Sequence, residues 1–239
     1  MLRSMNRRQA LGSIAGTVAA ATVVPRLADA KDAKQAFTPV APGAHKIVAL
    51  SFDPRKLPGL SEKLLRSHHA NNYGGALKNL NAVELELENV TKDTPGFRVA
   101  ALRERELTYA NSVLLHEAYF DNLGGHGKAA GDFSKALVAQ FGSAARWEEQ
   151  VRATAMSLGG GSGWVVIALS PLTNDLRIVG SGGHSQALAA GWPVFVLDMY
   201  EHAYALDHGS AHAKYIDAFF ANLDWSVLDK RWLAARARR

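Results

Sequence analysis

Four residues of the sequence combine side chains and spacing that suit the binding of one redox-active metal ion. His68 and His116 lie in two stretches with helical periodicity, and Asp198 is followed four positions later by His202. Asp198 ends an apolar run typical of a strand. A residue that leaves a strand for a helical turn can share a face with the residue four positions on. The spacing therefore suits Asp198 and His202 as two ligands of one ion, provided that each helix directs one histidine to the same point.

Three neutral imidazoles and one carboxylate suit iron or manganese with an open coordination position, and they could also hold zinc. The chain has no cysteine, which excludes thiolate ligands, disulfides and a cysteine nucleophile. Each residue alone has a simpler explanation. A single histidine on an apolar helix face is more often a hydrogen-bonded core residue, and an aspartate can cap a helix. From spacing alone, the metal site and these structural roles stay open as alternatives.

The hydrophobic pattern predicts an α+β fold: an N-terminal antiparallel helical hairpin, then a C-terminal lobe with a three-stranded antiparallel sheet and flanking helices. The first helix is expected to follow the N-cap Ser61 and to kink or break at residues 71–75, which are poor helix formers. The second is expected from about Ala100 to Leu123. Two helices joined by a short turn form the hairpin.

The later elements are short. Their expected bounds are helices at 132–140 and 143–158, strands at 164–170, 176–182 and 193–198, and two helices within 209–239. Asn174-Asp175 predicts a hairpin between the first two strands. The predicted division of the chain is a twin-arginine-type signal at 1–30, a tail or wrapping segment at 31–58, a helical-hairpin domain at 59–125 and a C-terminal domain at 126–239.

The first thirty residues have the pattern of an export signal. Arg7 and Arg8 precede an apolar run at residues 12–24, which is too short to span a bilayer, and Ala28 and Ala30 suit signal cleavage. Paired arginines are typical of the twin-arginine route. We therefore expect a periplasmic or secreted protein without stable membrane association after cleavage. An uncleaved amphipathic helix is the alternative.

The charge of the chain does not indicate a nucleic-acid partner. The formal net charge is +5, but residues 1–30 carry four Arg and one Asp, so about +2 remains without them. No run of Lys and Arg is left in that remainder. We expect no nucleic-acid binding.

Several motifs resemble those of the iron/manganese superoxide dismutases, over residues 60–232. The run DMYEHAYALD, which begins at Asp198, is similar to the family signature D-x-W-E-H-A-Y. Further matching segments lie at 61–81, 115–120, 161–164, 215–219 and 222–225. The resemblance aligns four residues with the metal ligands: His68 (rather than His69), His116, Asp198 and His202. It implies superoxide dismutase activity, a small anionic substrate, and one Fe or Mn ion per subunit, with iron favoured.

The resemblance also implies roles around the metal. Glu201 matches a carboxylate that reaches across a two-fold interface to a metal-bound histidine of the partner, which implies a homodimer or a tetramer. His184 is expected to hydrogen-bond metal-bound solvent, since Ser112 stands where some iron enzymes carry a glutamine for this task. An exposed loop histidine is the alternative. The aromatic shell of the site is matched by Trp164, Tyr200 and Phe120. Tryptophan is common in the family at the last two positions.

The sequence departs from the family pattern at the substrate gateway. Asn72 and Ala76 occupy the positions of the family's gateway histidine and tyrosine. Ala205 occupies the position of the tyrosine that normally hydrogen-bonds this histidine. Tyr73 and His69 are candidate substitute donors. We therefore expect an intact metal site with an altered rate or altered product inhibition. The alternatives are a non-catalytic metal-binding protein on the same fold and a zinc hydrolase.

Overall fold

The first helical region begins at a capped end and continues further than the sequence indicated. In the computed structural model, which describes residues 39–159 and 161–238, the Ser61 hydroxyl accepts a hydrogen bond from the Leu64 amide at 3.0 Å. The elements that follow are α1 (Glu62–Ser67), a π-helical turn (His68–Tyr73) and α2 (Gly74–Glu88). The predicted kink or break takes the form of a wider turn, which interrupts the α-helix at His68–Tyr73 while helical structure continues through it. The signal segment 1–30 and residues 31–38 of the tail lie outside the described residues.

The second helix of the hairpin, α3 (Gly96–Asp121), begins earlier than expected. Pro95, with φ of −55° and ψ of 133°, precedes its first turn, and Pro95 accepts a hydrogen bond from the Arg98 amide at 2.9 Å. Phe97 in this turn is 80% exposed, so the apolar periodicity could not mark it as helical. At the other end, Leu123 leaves the helix and forms an isolated bridge with Leu223.

The second half of the chain contains the predicted sheet and its flanking helices. Its elements are α4 (Gly131–Phe141), α5 (Ala144–Ser157), β1 (Trp164–Leu169), β2 (Leu176–Ser181), β3 (Trp192–Asp198), a 3-10 turn (Glu201–Ala203), α6 (Ala205–His208), α7 (His212–Ala221) and α8 (Trp225–Ala237). The strand order is β2-β1-β3, and both pairs are antiparallel. The α+β fold is confirmed. None of the described helices is both long and apolar enough to cross a membrane.

The register of the sheet places three site-forming segments at one end. Trp164, the first residue of β1, pairs with Ser181 at the end of β2 and with Asp198 at the end of β3. The β1–β2 hairpin turns where it was predicted, since Asn174 has a left-handed φ of 63° and the Ser170 amide donates to the Asp175 carbonyl. The chain that leaves β2 therefore emerges beside Trp164 and Asp198.

The core lies between the sheet and the helices. Strand β1 is buried along its whole length, because α3 and α5 both pack near the sheet. Rings of Phe195 and Phe219 meet edge to face at 5.5 Å, which joins β3 to α7. Residues from Val40 onward form one compact unit. The division into domains at residues 125 and 126 stays a prediction.

Residues 40–58, here called the N-terminal segment, run along the first helical region. The Asn81 side chain binds both the amide and the carbonyl of His45, at 3.1 and 3.0 Å. Glu84 accepts from the Gly43 amide at 2.8 Å and lies 2.9 Å from Nε2 of His45. The described part of the predicted tail is therefore tied to α2 by side chains that share one face of that helix.

Candidate metal centre

His68 occupies the first position of the π-helical turn, and its ring is almost wholly buried. Its Nε2 atom lies 3.1 Å from Oδ2 of Asp198. This contact lacks hydrogen-bond geometry, so neither ring nitrogen of His68 has a hydrogen-bond partner among the described residues. A buried polar atom without a partner costs free energy, and this indicates that a bound group completes the site.

His116 lies on α3, one turn after Ser112, and is equally buried. Its Nδ1 atom is 2.7 Å from the Ser112 carbonyl oxygen. Since a carbonyl oxygen only accepts, Nδ1 of the neutral ring carries the proton and Nε2 keeps its lone pair. That Nε2 atom has no hydrogen-bond partner in the described chain and lies 3.7 Å from Oδ2 of Asp198. His68 and His116 therefore face the same carboxylate oxygen.

Asp198 ends β3, and His202 lies in the 3-10 turn that follows. The Tyr200 amide donates to Oδ1 of Asp198 at 2.8 Å, which leaves Oδ2 directed to the histidines. Nε2 of His202 is 3.3 Å from that Oδ2 atom. Glu201, the neighbour of His202, is exposed at the surface of the chain. The tight turn after the strand thus brings together the two residues whose spacing in the sequence suggested a shared ion.

The structure gathers the four residues selected from the sequence into one cluster. Each offers a ligand atom, and these atoms lie within 4.8 Å of one another. The members are His68, His116, Asp198 and His202. Three imidazole nitrogens and one carboxylate oxygen fit a divalent or trivalent transition metal, and the buried imidazole nitrogens without hydrogen-bond partners have the donor chemistry that such an ion requires.

The electrostatics of the cluster favour the forms that bind metal. Burial lowers the pKa of His68 despite its contact with Asp198, and burial lowers the pKa of His116 to about 3. Burial alone would raise the pKa of the Asp198 carboxyl, but its close contacts with His202 and His68 hold that pKa below its ordinary value. At neutral pH, His68 and His116 are therefore neutral while Asp198 is ionised, as metal ligation requires.

The three aromatic residues predicted around the site each contact a different histidine. The Trp164 ring meets the His116 ring edge to face, with 5.1 Å between ring centres. The ring centres of Phe120 and His68 are 4.9 Å apart, and Tyr200 stacks on His202 with 5.3 Å between centres. Trp164 and Phe120 are buried. These rings cover much of the cluster and lower its local dielectric, which strengthens electrostatic interactions inside it.

His184 lies at the edge of the site and is half-buried, so it is not an exposed loop residue. Nε1 of Trp164 donates to Nδ1 of His184 at 3.0 Å, and the imidazole stacks on Tyr200 at 4.7 Å. The backbone carbonyl of His184 accepts from the Asn111 side chain at 2.8 Å. Because Nδ1 is the acceptor, the neutral ring carries its proton on Nε2. The His184 ring centre is 6.3 Å from that of His116.

Two further tyrosines support the site and were not singled out as site residues from the sequence. The Tyr119 ring lies 5.2 Å from His68. The Tyr215 hydroxyl donates to the backbone carbonyl of Asp198 at 2.7 Å and lies 3.2 Å from the Tyr119 hydroxyl. Both are wholly buried on helices, so their positions in the sequence cannot be distinguished from those of ordinary core residues. The one available signal was that Tyr119 follows His116 by three positions and thus shares its helix face.

The gateway positions are spread over different environments. Asn72 is half-buried on the π-helical turn, Ala76 is buried on α2, and Ala205 is exposed at the start of α6. The hydroxyl of Tyr73 and the imidazole of His69 both bind Val48 in the N-terminal segment. The two candidate substitute donors are therefore engaged with the chain itself.

Within the described residues, these features define an α+β protein with a largely buried centre of three histidines and one aspartate that fits a metal ion. The sequence matches the family described as iron/manganese superoxide dismutases, C-terminal domain, over residues 129–231. It is 44% identical over 192 residues to a superoxide dismutase [Fe] of Cupriavidus metallidurans, a match that covers 80% of this chain and 98% of that relative. It is also 31% identical over 172 residues to a superoxide dismutase [Mn] of Haloarcula marismortui, covering 70% of this chain and 83% of the relative.

A superoxide dismutase [Fe] of Aquifex pyrophilus is 28% identical over 200 residues, covering 80% of this chain and 92% of the relative. The fold, the site and these matches agree. The chain belongs to the iron/manganese superoxide dismutase family.

Proposed function

We propose that this chain is a superoxide dismutase that uses one iron or manganese ion per subunit. The observation that carries the proposal is the buried cluster in which three histidines face one oxygen of Asp198, in a chain 44% identical to an iron superoxide dismutase. The ligands would be His68, His116, Asp198 and His202. The alternative of a non-catalytic metal-binding protein has no support from these relatives, whose names all describe the enzyme.

An ion held by these four residues would supply one-electron redox chemistry, by which two superoxide ions and two protons become dioxygen and hydrogen peroxide. The residues of this chain set the conditions for that exchange. Ser112 fixes the ring of His116 with Nε2 toward the cluster, and Asp198 supplies the single negative charge. His184 holds a proton on Nε2, because Trp164 occupies Nδ1. We assign His184 the role of a hydrogen-bond donor at the site's edge.

The metal we favour is iron. The donor set suits either iron or manganese, since both accept imidazole and carboxylate ligands. The relative that is 44% identical carries [Fe] in its name, whereas [Mn] belongs to a relative that is 31% identical. Elemental analysis of protein purified from its native compartment, paired with a superoxide assay on the same sample, tests both the metal and the activity. Metal-replete protein that fails to dismute superoxide would refute the proposal.

A homodimer follows from the role proposed for Glu201. Its carboxylate is exposed next to His202, and a carboxylate on the far nitrogen of a ligand imidazole fixes its tautomer and raises its basicity. We assign Glu201 to the metal-bound histidine of a second subunit. Sedimentation of wild type and Glu201→Ala tests this role, which predicts a dimer that weakens in the variant. An unchanged dimer with unchanged metal affinity in Glu201→Ala would show that Glu201 does not have this role.

Export by the twin-arginine route is proposed from Arg7, Arg8 and the small residues before position 31. Such export would place the enzyme in the periplasm or outside the cell. Cell fractionation tests the proposal together with N-terminal sequencing of the exported form. The variant Arg7→Lys/Arg8→Lys is expected to stay in the cytoplasm uncleaved. Unchanged export of that variant would rule the route out.

A further inference from the structure

Two side chains of the π-helical turn that begins at His68 bind the backbone of Val48 in the N-terminal segment, one at its carbonyl and one at its amide. Nε2 of His69 lies 2.8 Å from the Val48 carbonyl, and the Val48 amide donates to the Tyr73 hydroxyl at 2.9 Å. A π turn is rare and often marks a functional site. Here two side chains of the turn itself bind the neighbouring segment, one near each end.

The same tyrosine joins this turn to α3. Its hydroxyl donates to Oε1 of Glu117 at 2.7 Å. A phenol has one proton, and the Val48 amide can only donate, so the direction of both hydrogen bonds is fixed. Tyr73 is 1% exposed, and Glu117 directly follows His116 on α3. The result is a hydrogen-bonded chain that we call the clasp: His69, Val48, Tyr73 and Glu117.

The clasp spans the two segments that carry His68 and His116. His116 is oriented by its own hydrogen bond to Ser112, whereas neither ring nitrogen of His68 has a hydrogen-bond partner among the described residues. The orientation of His68 therefore depends on the backbone of its turn and on the rings packed against it. Whatever fixes the π turn relative to α3 also fixes the separation of these two histidines.

We propose that Glu117 is a positioning residue for the metal centre, acting through Tyr73 to hold the π-helical turn that begins at His68. This inference rests on the proposed binding of a metal ion by His68 and His116. It assigns Tyr73 to positioning and not to proton delivery, because its one proton is committed to Glu117 and its acceptor position to Val48. In this chain the residue beside the altered gateway thus stabilises the site.

The test uses the iron-loaded full chain and four variants. Glu117→Leu and Tyr73→Phe each break the clasp, whereas Glu117→Gln keeps an amide oxygen that can accept from Tyr73. Glu104→Leu, at an exposed position of the same helix, is the control for a changed charge on α3. The readouts are the rate of iron loss to a chelator, the electron paramagnetic resonance spectrum of the ferric protein, and thermal unfolding.

We expect Glu117→Leu and Tyr73→Phe to lose iron about tenfold faster, which is the lower end of effects measured for residues that orient metal ligands. Their ferric spectra should shift, while Glu117→Gln and Glu104→Leu stay close to wild type. If Glu117→Leu does not fold, Tyr73→Phe, which removes one oxygen atom, decides the matter. Lower thermal stability with wild-type iron release and spectra in Tyr73→Phe would overturn the proposal. None of these readouts uses superoxide, so a protein that binds iron without dismuting superoxide would refute the proposed function alone.

Discussion

The Nδ1 atom of His116 is held 2.7 Å from the carbonyl oxygen of Ser112, one turn earlier on the same helix. The hydrogen bond uses the backbone of Ser112, so it forms whatever side chain stands at that position. It directs the unprotonated Nε2 atom to the cluster and fixes the tautomer before any metal arrives. A helix thus provides both the ligand and the group that orients it.

The first prediction concerns the ligand role of His116. His116→Ala removes one of four donors and leaves space in a buried site, so the metal content per subunit should fall to near zero after dialysis against a chelator. Elemental analysis of the purified variant measures this. Ser112→Ala is the matched control, because it keeps the carbonyl that orients His116, and it should retain wild-type metal content. Full metal content in His116→Ala would show that the ligand assignment is wrong.

The second prediction concerns the pH dependence of the metal-free protein. In the unfolded chain a histidine binds a proton below about pH 6.5. Burial holds the pKa of His116 in the folded chain at about 3 and also lowers that of His68. The unfolded state therefore binds more protons between these values, and stability falls as the pH falls. His116 should remove about 1.4 kcal/mol of unfolding free energy per pH unit in this window, and the lowered pKa of His68 adds to the loss in the same direction.

Denaturant unfolding of the metal-free protein from pH 7 to pH 4 measures this loss. The variant His116→Gln cannot take up that proton, so its unfolding free energy should fall less steeply by about 1.4 kcal/mol per pH unit. Asp198, whose pKa is also lowered, adds to this loss of unfolding free energy only below about pH 4, near the ordinary pKa of an aspartate. A stability that stays constant down to pH 4 would contradict the assigned protonation states.

The third prediction concerns the hydrogen bond from Tyr215 to the backbone carbonyl of Asp198. Tyr215→Phe removes the hydroxyl that donates to the buried Asp198 carbonyl at 2.7 Å. An unsatisfied buried carbonyl should cost about 1–3 kcal/mol of unfolding free energy, measured by denaturant titration. Tyr119→Phe leaves this bond in place and should cost less. Equal losses in the two variants would show that the Asp198 carbonyl is not the group that matters.

Much of this arrangement could be predicted from the sequence, because the α+β pattern, the hairpin at Asn174 and the Asp198–His202 spacing are local signals. The π-helical turn could not be, since residues 71–75 predict only poor α-helix and the groups that bind the side chains of the turn, the Val48 backbone and the Glu117 carboxylate, belong to distant segments. The supporting contacts of Tyr215 were also hidden. A buried aromatic residue has the same pattern whether or not its hydroxyl holds a metal ligand in place, and only tertiary contacts distinguish the two.

The central claim is that the four-residue cluster makes this chain a catalyst of superoxide dismutation. Its most direct test is the rate of superoxide decay, followed by pulse radiolysis, with purified protein of known metal content. We predict a catalytic rate that rises in proportion to bound iron or manganese and is lost in His116→Ala. Protein with a full complement of metal that accelerates superoxide decay no more than His116→Ala would contradict the account.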